Sequence, residues 1–142
     1  MIYNNNMKEN TVITRNTKYT DEVISLLNKK NHLTNLEILD ELKKTYPDLT
    51  PTTVHRITSR FISNGILAEA PTNKKGDARF DINIKPHDHF VCKSCGNLRD
   101  IDVAESVIPE LNKALGNCRV TGRIVINGSC DKCIKKGESL WK

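Results

Sequence analysis

Two Cys-x-x-Cys pairs constrain the fold of this chain more than any other feature of its sequence. Cys92 and Cys95 form the first pair, Cys130 and Cys133 form the second, and 34 residues separate Cys95 from Cys130. Each tight turn can direct two sulfur atoms at one ion, and four thiolates suit a tetrahedral zinc ion. Two disulfides or a thioredoxin-type redox pair are the alternatives. The zinc interpretation predicts a closed, structural Zn²⁺ site that joins the start of a small domain to its end.

The composition is consistent with a structural metal site of this kind. A chain of 142 residues with 5% aromatic residues can form one ordinary domain or two small ones. Small domains are only marginally stable without a cross-link such as a bound metal ion. The net charge of +5 permits nucleic-acid binding without demonstrating it. The chain has neither an apolar run long enough to span a bilayer nor a signal-peptide core, so we expect a cytoplasmic protein with no membrane partner. We expect Cys118, outside both pairs, to be a small buried apolar residue.

Capping residues and hydrophobic spacing predict two helices near the start of the chain. The first covers residues 21–30, with Thr20 as its N-cap, and the second covers residues 35–45. Thr34 and Glu37 have the spacing of a capping box for the second helix. The residues predicted to face the core from this second helix are Leu36, Leu39 and Leu42.

A third helix and a hairpin complete the first half. Thr50 and Pro51 are typical of a helix start, and they precede a helical pattern that ends at residue 63. The residues predicted to be buried on it are Val54, Ile57 and Phe61. The stretches "ILAEAP" and "ARFDINI" flank a turn-rich segment and predict a two-stranded hairpin. This order is typical of a winged helix-turn-helix, whose third helix enters the DNA major groove.

The second half has the pattern of a small α+β domain. We predict strands at residues 87–92, 97–102 and 119–128, and a helix at 103–116 with a kink or late start at Pro109. A domain this small, with an unpaired edge strand, would be stabilised by dimerisation through that edge of the sheet. The overall prediction is an α+β chain: a flexible tail (1–14), a winged-helix DNA-binding domain (15–85), and a small α/β dimerisation and metal-binding domain (86–142).

A second set of metal-ligand residues surrounds the first cysteine pair. His87 and His89 are two residues apart on a predicted strand and therefore point to the same face. Asp81 precedes them, Asp100 follows the first cysteine pair, and His32 stands before the second helix. If all five converge, they form a nitrogen and oxygen site that suits Fe²⁺ or Mn²⁺ better than the thiolate site does. Taken singly, each has an ordinary explanation as a solvated or surface side chain.

These motifs carry a resemblance to a known family. From about Arg15 to Cys133 the chain resembles the ferric uptake regulator (Fur) superfamily of bacterial metal-dependent repressors, through "HLTNLEIL", "TPTTVHR", "ARFD", "HDHFVCKSCG" and "SCDKC". Within it, the chain looks most like the peroxide-sensing branch (PerR). Asp100 carries that similarity, because iron-sensing members usually have glutamate there.

The resemblance implies a function and a role for each site residue. It implies a homodimeric repressor of double-stranded operator DNA whose four cysteines bind the structural zinc that stabilises the dimer. The regulatory Fe²⁺ or Mn²⁺ ligands carried over by motif are His32, Asp81, His87, His89 and Asp100. Iron would promote peroxide oxidation of His32 and His87, which releases the repressor, whereas manganese would act as a corepressor without that chemistry.

The DNA-reading residues depart from the family pattern. His55 replaces a tyrosine that usually contacts bases, and of the N-terminal motif only Arg15 and Thr17 remain. Pro86 stands where many members have a histidine of a third metal site, so we expect no such site, with Asp88 as a remnant. The predicted DNA-binding residues are Arg15, Thr52, His55, Arg56 and Arg60, with Lys74 or Lys75 as phosphate contacts.

Two other classes of protein compete with this hypothesis. One is a Fur-type iron-, manganese- or zinc-responsive repressor that lacks peroxide sensing. The other is a metalloenzyme, since histidine and aspartate ligands can activate water. We predict that the chain is not an enzyme and has no small organic cofactor, because neither a separate nucleophile nor a substrate-positioning motif accompanies the ligands.

Overall fold

The computed structural model describes residues 17–137, which divide into two compact units. Within these residues the first unit comprises 17–72 and 77–84, and the second comprises 73–76 and 85–137. The predicted flexible tail and Arg15 lie outside the described residues. The predicted boundaries of the DNA-binding and dimerisation domains stay a prediction. No helix in the described part is long and apolar enough to cross a membrane.

Three helices make up most of the first unit: α1 (Thr17–Lys30), α2 (Asn35–Lys43) and α3 (Pro51–Ser63). The capping box predicted for α2 is present, since Thr34 and Glu37 each accept the other's backbone N–H at 3.2 Å. Thr50 likewise accepts the N–H of Thr53 at 3.2 Å, with Pro51 at the first helical position. These bonds satisfy amide groups that have no partner within the helix.

Two predictions about these helices are wrong. Thr20 does not cap α1, because the helix begins three residues earlier and Thr20 is buried within it. Leu36 does not face the core and is 58% exposed. At about 100° per residue, Leu36 lies opposite Ile38, and Ile38 occupies the buried stripe instead. The predicted core residues of α3 are confirmed: Val54, Ile57 and Phe61 are fully buried.

A small antiparallel sheet closes the first unit. Its strands are β1 (Leu33–Thr34), β2 (Ala68–Ala70) and β3 (Arg79–Asp81), in the order β1-β3-β2. The pair β2–β3 is the predicted hairpin, whereas β1 is too short to be recognised from a sequence pattern. Leu33 pairs with Phe80, so the next residues outward, His32 and Asp81, are brought opposite each other.

The second unit contains β4 (Asp88–Cys92), β5 (Leu98–Ile101), α4 (Ala104–Ala114), β6 (Val125–Gly128) and α5 (Asp131–Lys135). The sheet order is β5-β4-β6. β4 and β5 form an antiparallel hairpin, and β6 runs parallel to β4 after the crossover through α4. α4 does not start late but continues through Pro109, and the strand predicted at 119–128 forms only over its last four residues.

An apolar face of the second unit is exposed in the single chain. α4 has no buried residue, and β6 is one of the two edge strands of its sheet. The large apolar side chains exposed here are Leu111 on α4, Leu115 directly after it, and Val125 and Ile126 on β6. An exposed edge strand and an uncovered apolar helix are both features that proteins normally cover.

Candidate metal centres

The structure brings the four cysteines of the two pairs together. Cys92 ends β4, Cys95 lies in the following turn, and Cys130 and Cys133 lie at the start of α5. The Sγ atoms of Cys92 and Cys133 are 3.7 Å apart, those of Cys95 and Cys130 are 3.8 Å apart, and all four lie within 4.8 Å of one another. Three of these side chains are buried, and Cys95 is exposed. Cys118 is exposed as well, so its predicted burial is wrong.

The spacing of the sulfur atoms fits a zinc ion. Disulfide bonds require about 2.05 Å between sulfurs, so none is formed here. A tetrahedral ion with bonds of about 2.3 Å would hold its sulfurs about 3.8 Å apart. The geometry and the soft donor atoms therefore suit a closed Zn²⁺ site with no open position.

The protein environment has opposite effects on the pKa values of two cysteines in the cluster. Burial opposes ionisation of Cys92, but hydrogen bonds from the N–H groups of Cys95, Cys130 and Ser94 outweigh it and lower its pKa to about 6. A hydrogen bond with Cys130, together with burial, raises the pKa of Cys133 to about 12. Cys92 thus loses its proton more readily than Cys133 does, and a bound metal would have to displace the proton of Cys133.

A salt bridge that the sequence did not reveal lies next to this cluster. Arg99 Nη2 on β5 lies 2.5 Å from Asp131 Oδ1 on α5. The Arg99 guanidinium holds the pKa of Asp131 below its ordinary value. The pair joins the hairpin that carries the first two cysteines to the helix that carries the last, 32 residues later in the chain.

In the first unit, His32 and Asp81 form half of the predicted nitrogen and oxygen ligand set. Their side chains are 8% and 3% exposed, and His32 Nε2 lies 3.2 Å from Asp81 Oδ2. The other oxygen of Asp81 accepts the N–H of Asn83 at 2.9 Å, which fixes the carboxylate. One imidazole nitrogen and one carboxylate oxygen are therefore held side by side where water has little access.

In the second unit, His87, His89 and Asp100 form the other half. Register places Asp100 opposite His89, and Asp100 Oδ1 is 3.2 Å from Nε2 of both histidines. The two rings are 4.4 Å apart, as expected for residues that share one face. His87 Nδ1 lies 2.7 Å from the carbonyl oxygen of Lys85, which can only accept, so Nδ1 carries the proton and Nε2 is left as a metal ligand.

Asp88 has a role that the sequence did not predict. It is buried, and its carboxylate accepts N–H groups from Val103, Ala104 and Ile124 at 3.0–3.1 Å. The hydrogen bond from Ile124, with those from Val103 and Ala104, outweighs burial and holds the pKa of Asp88 below its ordinary value. Asp88 thus anchors the start of α4 and the approach to β6 to the strand that carries the histidines. Because side chains alternate between the two faces of a strand, the sequence could have shown that Asp88 points away from both histidines.

The predicted DNA-contacting residues of α3 share its outer face. Thr52, His55 and Arg56 are exposed, and Arg60 is partly exposed, whereas Val54 and Ile57 point inward. Lys74 Nζ instead donates to the carbonyl oxygen of Ser94 at 2.5 Å within the second unit, and Lys75 is exposed. α3 therefore presents a polar surface that contains both a cation and an imidazole.

A helix-turn-helix unit with a β hairpin, joined to an α/β unit with thiol and histidine–aspartate clusters, defines a metal-responsive transcription regulator. The family model of the ferric uptake regulator family matches residues 11–120. The chain belongs to this family, whose members are transcription regulators rather than enzymes.

Known relatives and solved structures agree with this assignment. The peroxide-responsive repressor PerR of Staphylococcus epidermidis is 28% identical over 114 residues, 79% of this chain and 75% of that protein. The Helicobacter pylori ferric uptake regulator, at 22% identity, has the same fold with a TM-score of 0.72 over 98% of this chain and 95% of its own. The Campylobacter jejuni peroxide stress regulator is 25% identical, with a TM-score of 0.64 over 85% of this chain and 93% of its own.

Proposed function

We propose that this protein is a cytoplasmic, homodimeric, metal-dependent repressor that detects hydrogen peroxide through oxidation of its own histidine ligands. The observation that carries the proposal is the contact of Asp100 with His87 and His89 in the second unit. Two imidazoles and one carboxylate are the donor set that non-haem Fe²⁺ uses in oxygen chemistry. Asp100 is 45% exposed, so a small oxidant has access to this set.

The regulatory ion would bind to both halves of the ligand set. His32 and Asp81 offer two donors, and His87, His89 and Asp100 offer three. Because the two halves belong to different units, a shared ion would restrain those units in one arrangement. Restraint removes a conformational cost of binding and so raises DNA affinity.

The chain's own residues would perform the sensing. A bound ferrous ion would promote the transfer of one oxygen atom from hydrogen peroxide, the two-electron oxidant, to an imidazole, and the other oxygen atom would leave as water. His32 and His87, the residues matched to the oxidised histidines of the family, then gain oxygen and become poor ligands. Loss of their Nε2 donors releases the restraint and the operator. The protein is consumed as a reagent, so no turnover is expected.

DNA binding and dimerisation complete the proposal. Thr52, His55 and Arg56 on α3 would contact the major groove, with Arg60 and Arg15 on nearby phosphates or in the minor groove. The exposed apolar side chains of α4 and β6 would be buried between two copies of the chain. The four-cysteine cluster, filled with zinc, would stabilise the unit that carries this surface.

An iron-, manganese- or zinc-responsive repressor without peroxide chemistry is the second candidate. The same five donors support it, because nitrogen and oxygen ligands bind these ions whether or not oxidation follows.

A single experiment separates the two functions. Protein loaded with iron or with manganese is tested for binding to an operator duplex before and after mild peroxide treatment. Peroxide sensing predicts that only the iron-loaded protein loses binding, with added oxygen on the peptides that contain His32 and His87. If the iron-loaded protein stays bound and its histidines gain no oxygen, the plain metal-sensing function is correct.

A further inference from the structure

A buried hydroxyl group in the middle of α3 lies within hydrogen-bonding distance of three acceptor oxygens. Thr58 is fully buried, and its Oγ1 lies 2.8 Å from Asn35 Oδ1 on α2. The same oxygen lies 3.2 Å from the carbonyl oxygens of Val54 and His55 in its own helix. A hydroxyl has one hydrogen to donate, so the bond to Asn35 competes with bonds inside α3. Because Thr58 keeps a partner in either case, exchange between these bonds should require little free energy.

Asn35 is closely connected to the histidine–aspartate pair of the first unit. It follows Thr34, which pairs with Arg79 across β1 and β3 and also closes the capping box of α2. His32 lies two residues before Thr34, and its imidazole contacts Asp81 on the same strand β3. Strand pairing and the capping box thus fix the backbone between His32 and Asn35. A displacement of His32 is therefore expected to move the start of α2 as well.

We infer that Asn35 and Thr58 are positioning residues, and that their hydrogen bond transmits metal occupancy at His32 and Asp81 to α3. The inference rests on the proposed metal-dependent DNA binding and adds a path that runs within the first unit. With His32 and Asp81 fixed by an ion, the side chain of Asn35 stays in place and holds the centre of α3. Without the ion, Thr58 turns to the carbonyl oxygens of its own helix, one of which belongs to His55. The face that presents His55 and Arg56 is then less restrained.

Thr58→Val tests the link, because valine keeps the shape and removes the donor. The measured quantity is the ratio of DNA affinities of the Mn²⁺-loaded and the Mn²⁺-free, zinc-retaining protein. The probe is a duplex selected from a random library by the Mn²⁺-loaded wild type. We expect the ratio to fall by about two- to thirtyfold, the range known for residues that transmit coupling. By linkage, the ratio of Mn²⁺ affinities with and without DNA falls by the same factor.

Three variants control the measurement. Thr20→Val makes the same substitution at another fully buried threonine of the first unit and should leave the ratio unchanged. Thr58→Ser keeps the donor, Asn35→Asp keeps the acceptor, and both should retain the wild-type ratio. If Thr58→Val does not fold, Asn35→Ala removes the same bond from a half-buried position and should lower the ratio in its place.

The outcomes distinguish the inference from the function on which it rests. If wild-type DNA affinity does not depend on Mn²⁺, both are overturned. If it does, and Thr58→Val lowers the two DNA affinities equally, the hydroxyl is only structural and the inference alone is overturned. A lower ratio in Thr58→Val with a normal ratio in Thr20→Val supports it.

Discussion

Asp100 shows how much of this protein's chemistry depends on the length of one side chain. The β4–β5 register places its carboxylate 3.2 Å from both His87 and His89, and the side chain is half exposed. Glutamate at this position would keep the charge and both oxygen donors but would add one methylene. The added length can change how the carboxylate binds, and with it the access of peroxide, without removing a ligand.

Asp100→Glu should therefore separate metal binding from oxidation. We expect the variant to bind Mn²⁺ and DNA nearly as the wild type does. After iron loading and mild peroxide treatment, its histidines should gain much less oxygen, as measured by mass spectrometry of the digested protein. Asp102→Glu makes the same change at an exposed aspartate outside the ligand set and should behave as the wild type. Equal oxidation of Asp100→Glu and the wild type would show that this methylene has no part in sensing.

At the scale of single elements, α3 and β4 each combine a structural face with a functional one. α3 buries Val54, Ile57 and Phe61 and exposes the residues proposed to reach DNA. His87, directly before β4, and His89 on it point to one side, and Asp88 points to the other, where its carboxylate holds two neighbouring elements. In both cases the buried face fixes the position of the exposed or ligand-bearing face.

For α3, Arg56→Ala should weaken operator binding by roughly 1–3 kcal/mol if Arg56 contacts a base, and the loss should depend on sequence. A phosphate contact would instead weaken binding uniformly across sequences. His55→Tyr should shift the preferred sequence toward that of the family members with tyrosine there. Binding selections with a random duplex library measure both effects. If neither variant changes affinity or preference, α3 is not the recognition helix.

For β4, Asp88→Asn should destabilise the second unit by roughly 1–3 kcal/mol, because a charged acceptor of three backbone N–H groups is replaced by an amide with a single acceptor oxygen. Thermal unfolding of the zinc-loaded protein measures the loss. Mn²⁺ affinity should also fall, since His87 and His89 flank the residue that is released. Asp102→Asn is the matched control, and it should change neither quantity. A normal melting temperature for Asp88→Asn would mean that these hydrogen bonds do not anchor α4 and β6.

At the scale of the whole molecule, two kinds of metal ligand serve two purposes. Soft thiolates in a closed, largely buried cluster suit a permanent zinc ion, and nitrogen and oxygen donors suit an ion that responds to its surroundings. The zinc cluster joins the β4–β5 hairpin to α5 in the unit with the exposed apolar face. Dimer stability should thus depend on zinc and DNA affinity on the second ion.

Cys130→Ser should remove one zinc ion per chain and abolish the stable dimer, because the free energy of zinc binding contributes directly to folding. Metal analysis and analytical ultracentrifugation of the purified variant measure the two effects. Cys118→Ser, at an exposed cysteine outside the cluster, should keep both zinc and dimer. A dimer of Cys130→Ser with no zinc and a normal melting temperature would rule out the structural zinc site.

The sequence by itself determined the features that arise within a few residues. The cap of α2 at Thr34, the buried stripe of α3 and the two cysteine turns follow from side-chain periodicity and local hydrogen bonding. Even there, Leu36 was misplaced, because the hydrophobic spacing of a short helix fits more than one face.

Only the tertiary structure decided which distant residues meet. His32 and Asp81 are 49 residues apart in the chain, and they lie together because two-residue β1 pairs with β3 in one register. The hydrogen bonds from Thr58 to Asn35 and from Ile124 to Asp88 likewise depend on how elements pack. A periodic pattern specifies the inward face of an element but neither its partner nor its register, because these depend on the packing of the whole unit.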